Sequence, residues 1–121
     1  MSISKIGKRT EQYVADYLFK KGWFVILIQK KISGQPFDLI ALKDDKFIAG
    51  DVKHIQNGDI FRLSRIEPNQ HTAFFLMRNR GNTNFGLIFK FKNDMNVYYI
   101  RDSDINWDAG YIKKSEMSKL W

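Results

Sequence analysis

A chain of 121 residues, 44% hydrophobic and 15% aromatic, is long enough to bury its own core and too apolar for disorder. It has no cysteine, which excludes disulfides and thiolate-ligated zinc or iron–sulfur centres, and no apolar run approaches the ~20 residues of a membrane span. The formal charge is +7, and residues 1–31 carry seven basic against two acidic side chains; such an excess points to a polyanionic partner such as DNA.

The opening MSISKIGKRTEQ is basic with no apolar stretch behind it, so no secretion signal is read and a cytoplasmic location is expected. Without repeats or a Pro/Gly-rich linker, residues 1–121 read as one domain. A helix is expected from about Ser4 to Lys21, since Tyr13, Val14, Tyr17 and Leu18 recur at helical spacing and Gly22 supplies a stop. WFVILIQ reads as a buried strand, broken by KKISGQ. PFDLIAL is the second strand, with Pro36 at its first position. The polar turn Lys43-Asp44-Asp45-Lys46 leads into a third strand, FIAGDVKH, so these two should form a hairpin. FRLSRI is a short extended piece. A second helix follows, with Pro68 in its first turn and Gly81 past its end. FGLIFKF and NVYYI are further strands. The tail from Asp102 to Trp121 is ambiguous, although Trp107, Tyr111 and Trp121 suggest that it packs. The order αβββαβ with an extra C-terminal strand gives an α/β fold, a mixed central sheet flanked by helices.

Alternation puts Phe47, Ala49, Asp51 and Lys53 on one face of the third strand, with Ile48, Gly50, Val52 and His54 on the other. A hairpin through residues 43–46 would bring Asp38 to the same end as Asp51. Two carboxylates about 4 Å apart repel by roughly 4 kcal/mol at an effective dielectric near 20, which a shared proton or a divalent cation would offset. Mg²⁺ suits two carboxylates plus the Val52 carbonyl and waters, with Mn²⁺ an alternative. Lys53 would then orient or deprotonate a water, or stabilise charge on a phosphate; sequence does not separate these roles. The ordinary alternative is a solvent-exposed Asp38 and an Asp51–Lys53 surface ion pair. Inward acids on such apolar strands favour the chemical reading.

Glu11 falls beside the buried stripe of the first helix, and Gln70 on the inner face of the second helix's first turn. Glu11 could equally pair with Lys8, and Gln70 could simply cap its helix. His54 and His71 are read as surface or DNA-facing groups, not ligands. Lys8, Arg9, Lys30, Lys31, Arg62 and Arg65 flank the site in sequence and are candidate DNA contacts.

Pro36-Phe37-Asp38 followed by Asp51-Val52-Lys53 resembles the PD-(D/E)xK nuclease superfamily, with its restriction-endonuclease-like core. Gly7 and Glu11 on the first helix, Ser33-Gly34, the Phe61–Ile66 stretch and Gln70 are similar to the Holliday junction resolvases of the archaeal and RecU types. The likeness covers about residues 5–92. It implies that Glu11, Asp38 and Asp51 hold the metal, that Lys53 is catalytic, and that Ser33 and Gln70 support catalysis. It also implies a homodimer acting on four-way DNA junctions. Three departures stand out: aspartate replaces the commoner glutamate at Asp51, Phe37 separates the proline from Asp38, and the RecU stalk is missing. The expectation is a Mg²⁺-dependent, structure-selective DNA endonuclease, with a restriction-like or repair nuclease on duplex DNA, or a non-catalytic DNA-binding module, as alternatives.

Overall fold

The computed structural model describes residues 2–28 and 37–121, with side chains from Lys5 onward. Helix α1 (Ser2–Lys20) forms because Thr10, Val14 and Leu18 recur one turn apart, and all three are buried. It ends where Gly22 takes φ 95°, a left-handed conformation that strains any residue with a Cβ.

The strands are β1 (Phe24–Leu27), β2 (Leu39–Lys43), β3 (Lys46–Ile55), β4 (Ile60–Arg62), β5 (Phe85–Phe91), β6 (Val97–Arg101), β7 (Tyr111–Lys113) and β8 (Ser118–Lys119). Six of them form the main sheet in the order β1-β2-β3-β5-β6-β8. β3 and β5 run parallel and the other neighbours antiparallel. The crossover between the parallel pair carries β4, a 3₁₀ turn over Leu63–Arg65 and helix α2 (Pro68–Asn79). β5 and β6 approach so closely at Gly86 that a Cβ there would overlap the Ile100 carbonyl oxygen, which is why no larger residue fits.

Strand alternation separates the core into two layers. Leu39, Ala41, Ile48, Ile88, Val97 and Tyr99 pack against Val14 and Leu18 of α1. Ala49, Phe85, Leu87, Phe89 and Ile100 face the other way, with Phe74 of α2, Phe61 and Ile112. The sheet is therefore mixed and helix-flanked, as its sequence pattern implies.

Three expectations change. The second strand begins at Leu39, so Asp38 stands just ahead of it. FRLSRI is divided between β4 and the 3₁₀ turn. Most consequentially, the extra material after αβββαβ is more than one strand. Besides β6, the tail adds β8 to the main sheet and pairs β7 with β4 in a second, two-stranded sheet. These tail strands are three and two residues long, too short for a readable period; long-range packing by Ile112, Met117 and Leu120, all buried, fixes them instead.

Candidate active site

The β2–β3 register pairs Leu39 with Gly50 and Ile40 with Ala49, and just beyond it the carboxyl groups of Asp38 and Asp51 come within hydrogen-bonding reach of one another. The ladder departs from that register at its end: the Asp38 N–H donates to the Gly50 carbonyl at 2.8 Å, and the Asp38 carbonyl accepts from the Ile28 N–H at 2.8 Å. Both acids are buried, Asp38 to 7% and Asp51 to 4% exposure. The Val52 N–H donates to Asp38 Oδ2 at 2.7 Å, which ties the first acid to the peptide that follows the second.

Lys53 lies on the same face as Asp51, its Nζ 2.9 Å from Asp51 Oδ2. The distance makes this an ion pair, yet Oδ2 is buried without an aligned hydrogen bond. Lys53 Nζ also donates to Gln70 Oε1 at 3.3 Å. Gln70 sits at the third position of α2, where its side chain completes a reciprocal capping box with Glu67 and accepts from the Glu67 N–H at 3.4 Å. The capping geometry of Gln70 aims its amide oxygen at the lysine.

The Asp51 carboxyl is pushed up to about 7, chiefly by burial; Lys53 opposes the shift and nearby Asp38 adds to it. One lysine does not neutralise two buried carboxylates. Hard oxygen donors, two buried carboxylates sharing a single lysine, suit a small divalent cation. Asp38 and Asp51 fit that group. Among the described residues no set of three Asp, Glu or His side chains comes together as a metal-holding cluster. Glu11 is half-buried on α1, the helix whose Val14 and Leu18 pack against Leu39, Ala41 and Ile48.

Lys8, Arg9 and Arg62 are exposed. Arg65 is committed locally, donating to the His54 carbonyl at 3.0 Å and lying over the Phe61 ring. Lys30, Lys31 and Ser33 fall outside the described residues. His54 turns away from Asp51, with Nδ1 3.4 Å from Thr10 Oγ1 and Nε2 3.0 Å from Gln56 Oε1. His71 is exposed, its ring against Trp107.

Sequence reading missed two groups. Lys90 lies beside His54 in the β3–β5 register and over the Tyr13 ring, at the site's end of the sheet. Arg78 forms a two-pronged pair with buried Asp102, at 2.7 Å for both contacts, and covers Trp107. Neither leaves a local signal, since the partners are far apart in the chain. A cleft of about 610 Å³ is lined by Trp23, Lys46, Tyr99, Arg101 and Trp121 toward the start of β3. It contains none of the candidate site residues, so chemistry and not cavity size marks the site.

The chain is similar in structure to a Holliday junction resolvase, Hjc, from the archaeal hyperthermophile Archaeoglobus fulgidus, with a TM-score of 0.68 over 93% of this chain and 95% of that one. This is a Hjc-like fold. The two sequences are 16% identical, and the likeness is one of architecture. No family model matches the sequence, and no curated protein matches it. The Hjc-like core places Asp38 and Asp51 where β2 and β3 meet, with Lys53 and Gln70 across the same face. Among the described residues no helix is long and apolar enough to cross a membrane.

Proposed function

We propose that this chain is a Mg²⁺-dependent, structure-selective DNA endonuclease that resolves four-way junctions as a homodimer. One observation carries the reading: two buried, facing carboxylates share a face with a lysine that a helix-capping glutamine orients. The likeness to a Holliday junction resolvase supports the choice of branched DNA, as does the charge of +7.

Asp38, Asp51 and the Val52 carbonyl would hold the ion; Mn²⁺ has the same preferences for oxygen donors. Bound there, the ion supplies Lewis-acid polarisation of a phosphoryl oxygen. Lys53 keeps its ammonium between Asp51 and Gln70, from which it can donate to a phosphate oxygen as negative charge builds. Asp51, protonated in part near neutrality, releases that proton when a cation pairs with it. The resemblance assigns a third carboxylate role to Glu11 and a supporting role to Ser33; the present reading rests on Asp38, Asp51, Lys53 and Gln70.

The test is cleavage of a synthetic four-way junction with Mg²⁺, against linear duplex and flap controls. Symmetric cuts on the junction are expected, lost in Asp51→Asn. Equal cutting of linear duplex would replace the resolvase with a restriction-like or repair nuclease. DNA binding without Mg²⁺ or Mn²⁺ binding by calorimetry would make the chain a non-catalytic module.

A further inference from the structure

We infer that the cleft of about 610 Å³ at the start of β3 receives an unstacked nucleobase, at a site apart from the acid pair. Its volume falls within the ~300–1,000 Å³ of small-molecule sites. Lys46 and Ile48 line it and precede Asp51 on the same strand, by roughly 10–17 Å of extended chain. The tail supplies Asp104, Glu116, Lys119 and Trp121, none of which the nuclease reading employs.

Three features select the ligand. The first is an unmade hydrogen bond. Tyr99 lines the cleft at 9% exposure, and its buried hydroxyl has no hydrogen-bond partner among the described residues. A ligand group that meets that oxygen removes the cost of its isolation. Water does not reach it, so the ligand enters by shifting a wall side chain. Trp121, 65% exposed, is the wall best able to give.

The second feature is aromatic walls. Trp23, Phe47 and Trp121 border the cleft. The Lys119 ammonium lies 4.8 Å from the centre of the Trp121 ring, and the ring's exposure leaves area on which a planar group can stack. Aromatic side chains of this kind stack bases of any identity.

The third is balanced charge. Lys46, Arg101 and Lys119 are matched around the cleft by Asp45, Asp104 and Glu116, so a bare phosphate gains little there. Burial pushes the Tyr99 hydroxyl above the usual tyrosine range, Arg101 draws it back, and Asp104 adds to the rise. A donor cation and an acceptor carboxylate thus act on one hydroxyl, and among the described residues neither joins an ion pair. A neutral planar molecule with donors and acceptors side by side on its edge fits that arrangement. A nucleobase is such a molecule, whether carried by a free nucleotide or by an unpaired stretch of DNA. Binding here needs neither metal nor cleavage and is independent of the nuclease reading.

Calorimetry of the full chain in EDTA tests it. The probes are deoxyadenosine and thymidine monophosphates, a ten-residue single-stranded oligonucleotide, an abasic strand of equal length and deoxyribose 5-phosphate. Base-bearing probes should bind at least tenfold more tightly than the two that lack bases. Tyr99→Phe should keep its melting temperature and weaken binding at least fivefold. Asp104→Ala, on an exposed turn, should weaken it similarly and serves should Tyr99→Phe fold poorly. Binding of the monophosphates identifies a free nucleotide as the ligand, and binding of the oligonucleotide alone identifies an unpaired strand. Equal affinity for base-bearing and abasic probes, or no binding of either, overturns the inference. So do folded Tyr99→Phe and Asp104→Ala proteins that bind as the wild type does. A chain that binds bases but cuts no junction with Mg²⁺ sinks the nuclease alone.

Discussion

Asp38, just ahead of β2, is tied to the peptide that follows Asp51 in β3: the Val52 N–H donates to Asp38 Oδ2 at 2.7 Å. That bond fixes Asp38 against its neighbour even though the two carboxylates repel. Repulsion and burial are relieved in part by Lys53, and the remainder appears as a proton affinity: the Asp51 carboxyl is pushed up to about 7 from 3.8. Between those values the folded chain binds a proton that the unfolded chain does not. The metal-free protein should therefore lose stability as pH rises from about 4 to about 7, by at most about 4 kcal/mol. Asp94 does not interfere, because Lys114 and Tyr98 hold its carboxyl below the usual range and its contribution fades only under acid conditions. Urea midpoints in EDTA should be higher at pH 5 than at pH 8, and Asp51→Asn should flatten the difference. A wild type as stable at pH 8 as at pH 5 would contradict the strained-pair account.

Cation capture should reverse this behaviour. An ion bound to the ionised pair stabilises the folded state by about 2.7 kcal/mol at a hundred times its dissociation constant, and most strongly above pH 7, where no proton competes. Thermal unfolding at pH 8 with increasing Mg²⁺ measures it. The melting temperature should rise for the wild type and stay put for Asp51→Asn. A rise of equal size in both proteins would place the ion elsewhere.

Gln70 serves two partners, the Glu67 N–H and the Lys53 ammonium, and the two can be separated. Glu67→Ala removes its half of the capping box and should cost ~1 kcal/mol while leaving turnover nearly unchanged. Gln70→Ala should cost a similar amount of stability and also lower kcat roughly 10–100-fold, since Lys53 loses its second acceptor and its aim. Equal turnover in the two variants would reduce Gln70 to a cap.

The acid pair was legible because strand alternation and a hairpin are local rules. Once residues 43–46 turn the chain back, the positions of Asp38 and Asp51 follow from counting, and so does the shared face of Asp51 and Lys53. Gln70 was legible through helical spacing. What stayed hidden depends on which face each helix covers. Nothing local says which face of the sheet α1 covers, so the place of Glu11 relative to the acids does not follow from counting. The exposure of Phe24 and Phe47 escaped for the same reason, because an apolar strand reads as buried whether or not a helix reaches it. Arg78 and Asp102 are joined by packing alone.

That Arg78–Asp102 pair makes its own prediction. Asp102 is buried and receives both contacts at 2.7 Å, whereas Arg78 is partly open to water. Removing the arginine strands a buried charge, a change that costs 3–5 kcal/mol where burial is complete and less here because Arg78 is partly solvated. Arg78→Met should therefore destabilise the chain by about 2–3 kcal/mol and loosen α2 from the turn over residues 102–104. Restoring neutrality with Asp102→Asn in the Arg78→Met background should recover part of the loss. A double variant less stable than Arg78→Met would show that packing, and not the charge, carries the contact.

The tail is the remaining question, because its strands are so short that they look dispensable. Ile112, Met117 and Leu120 are nonetheless buried, each worth ~1.5–3 kcal/mol of burial. β7 completes the sheet that β4 begins, and β8 pairs with β6. The Tyr17 hydroxyl donates to the Leu120 carbonyl at 2.9 Å, which fastens the end of the chain to α1. The summed loss is comparable with the whole ~5–15 kcal/mol of an ordinary domain. A chain ending at Gly110 should accordingly fail to fold cooperatively, losing its sharp urea transition along with DNA cleavage. Retention of a cooperative transition by that shortened chain would show that the Hjc-like core stands without its last two strands.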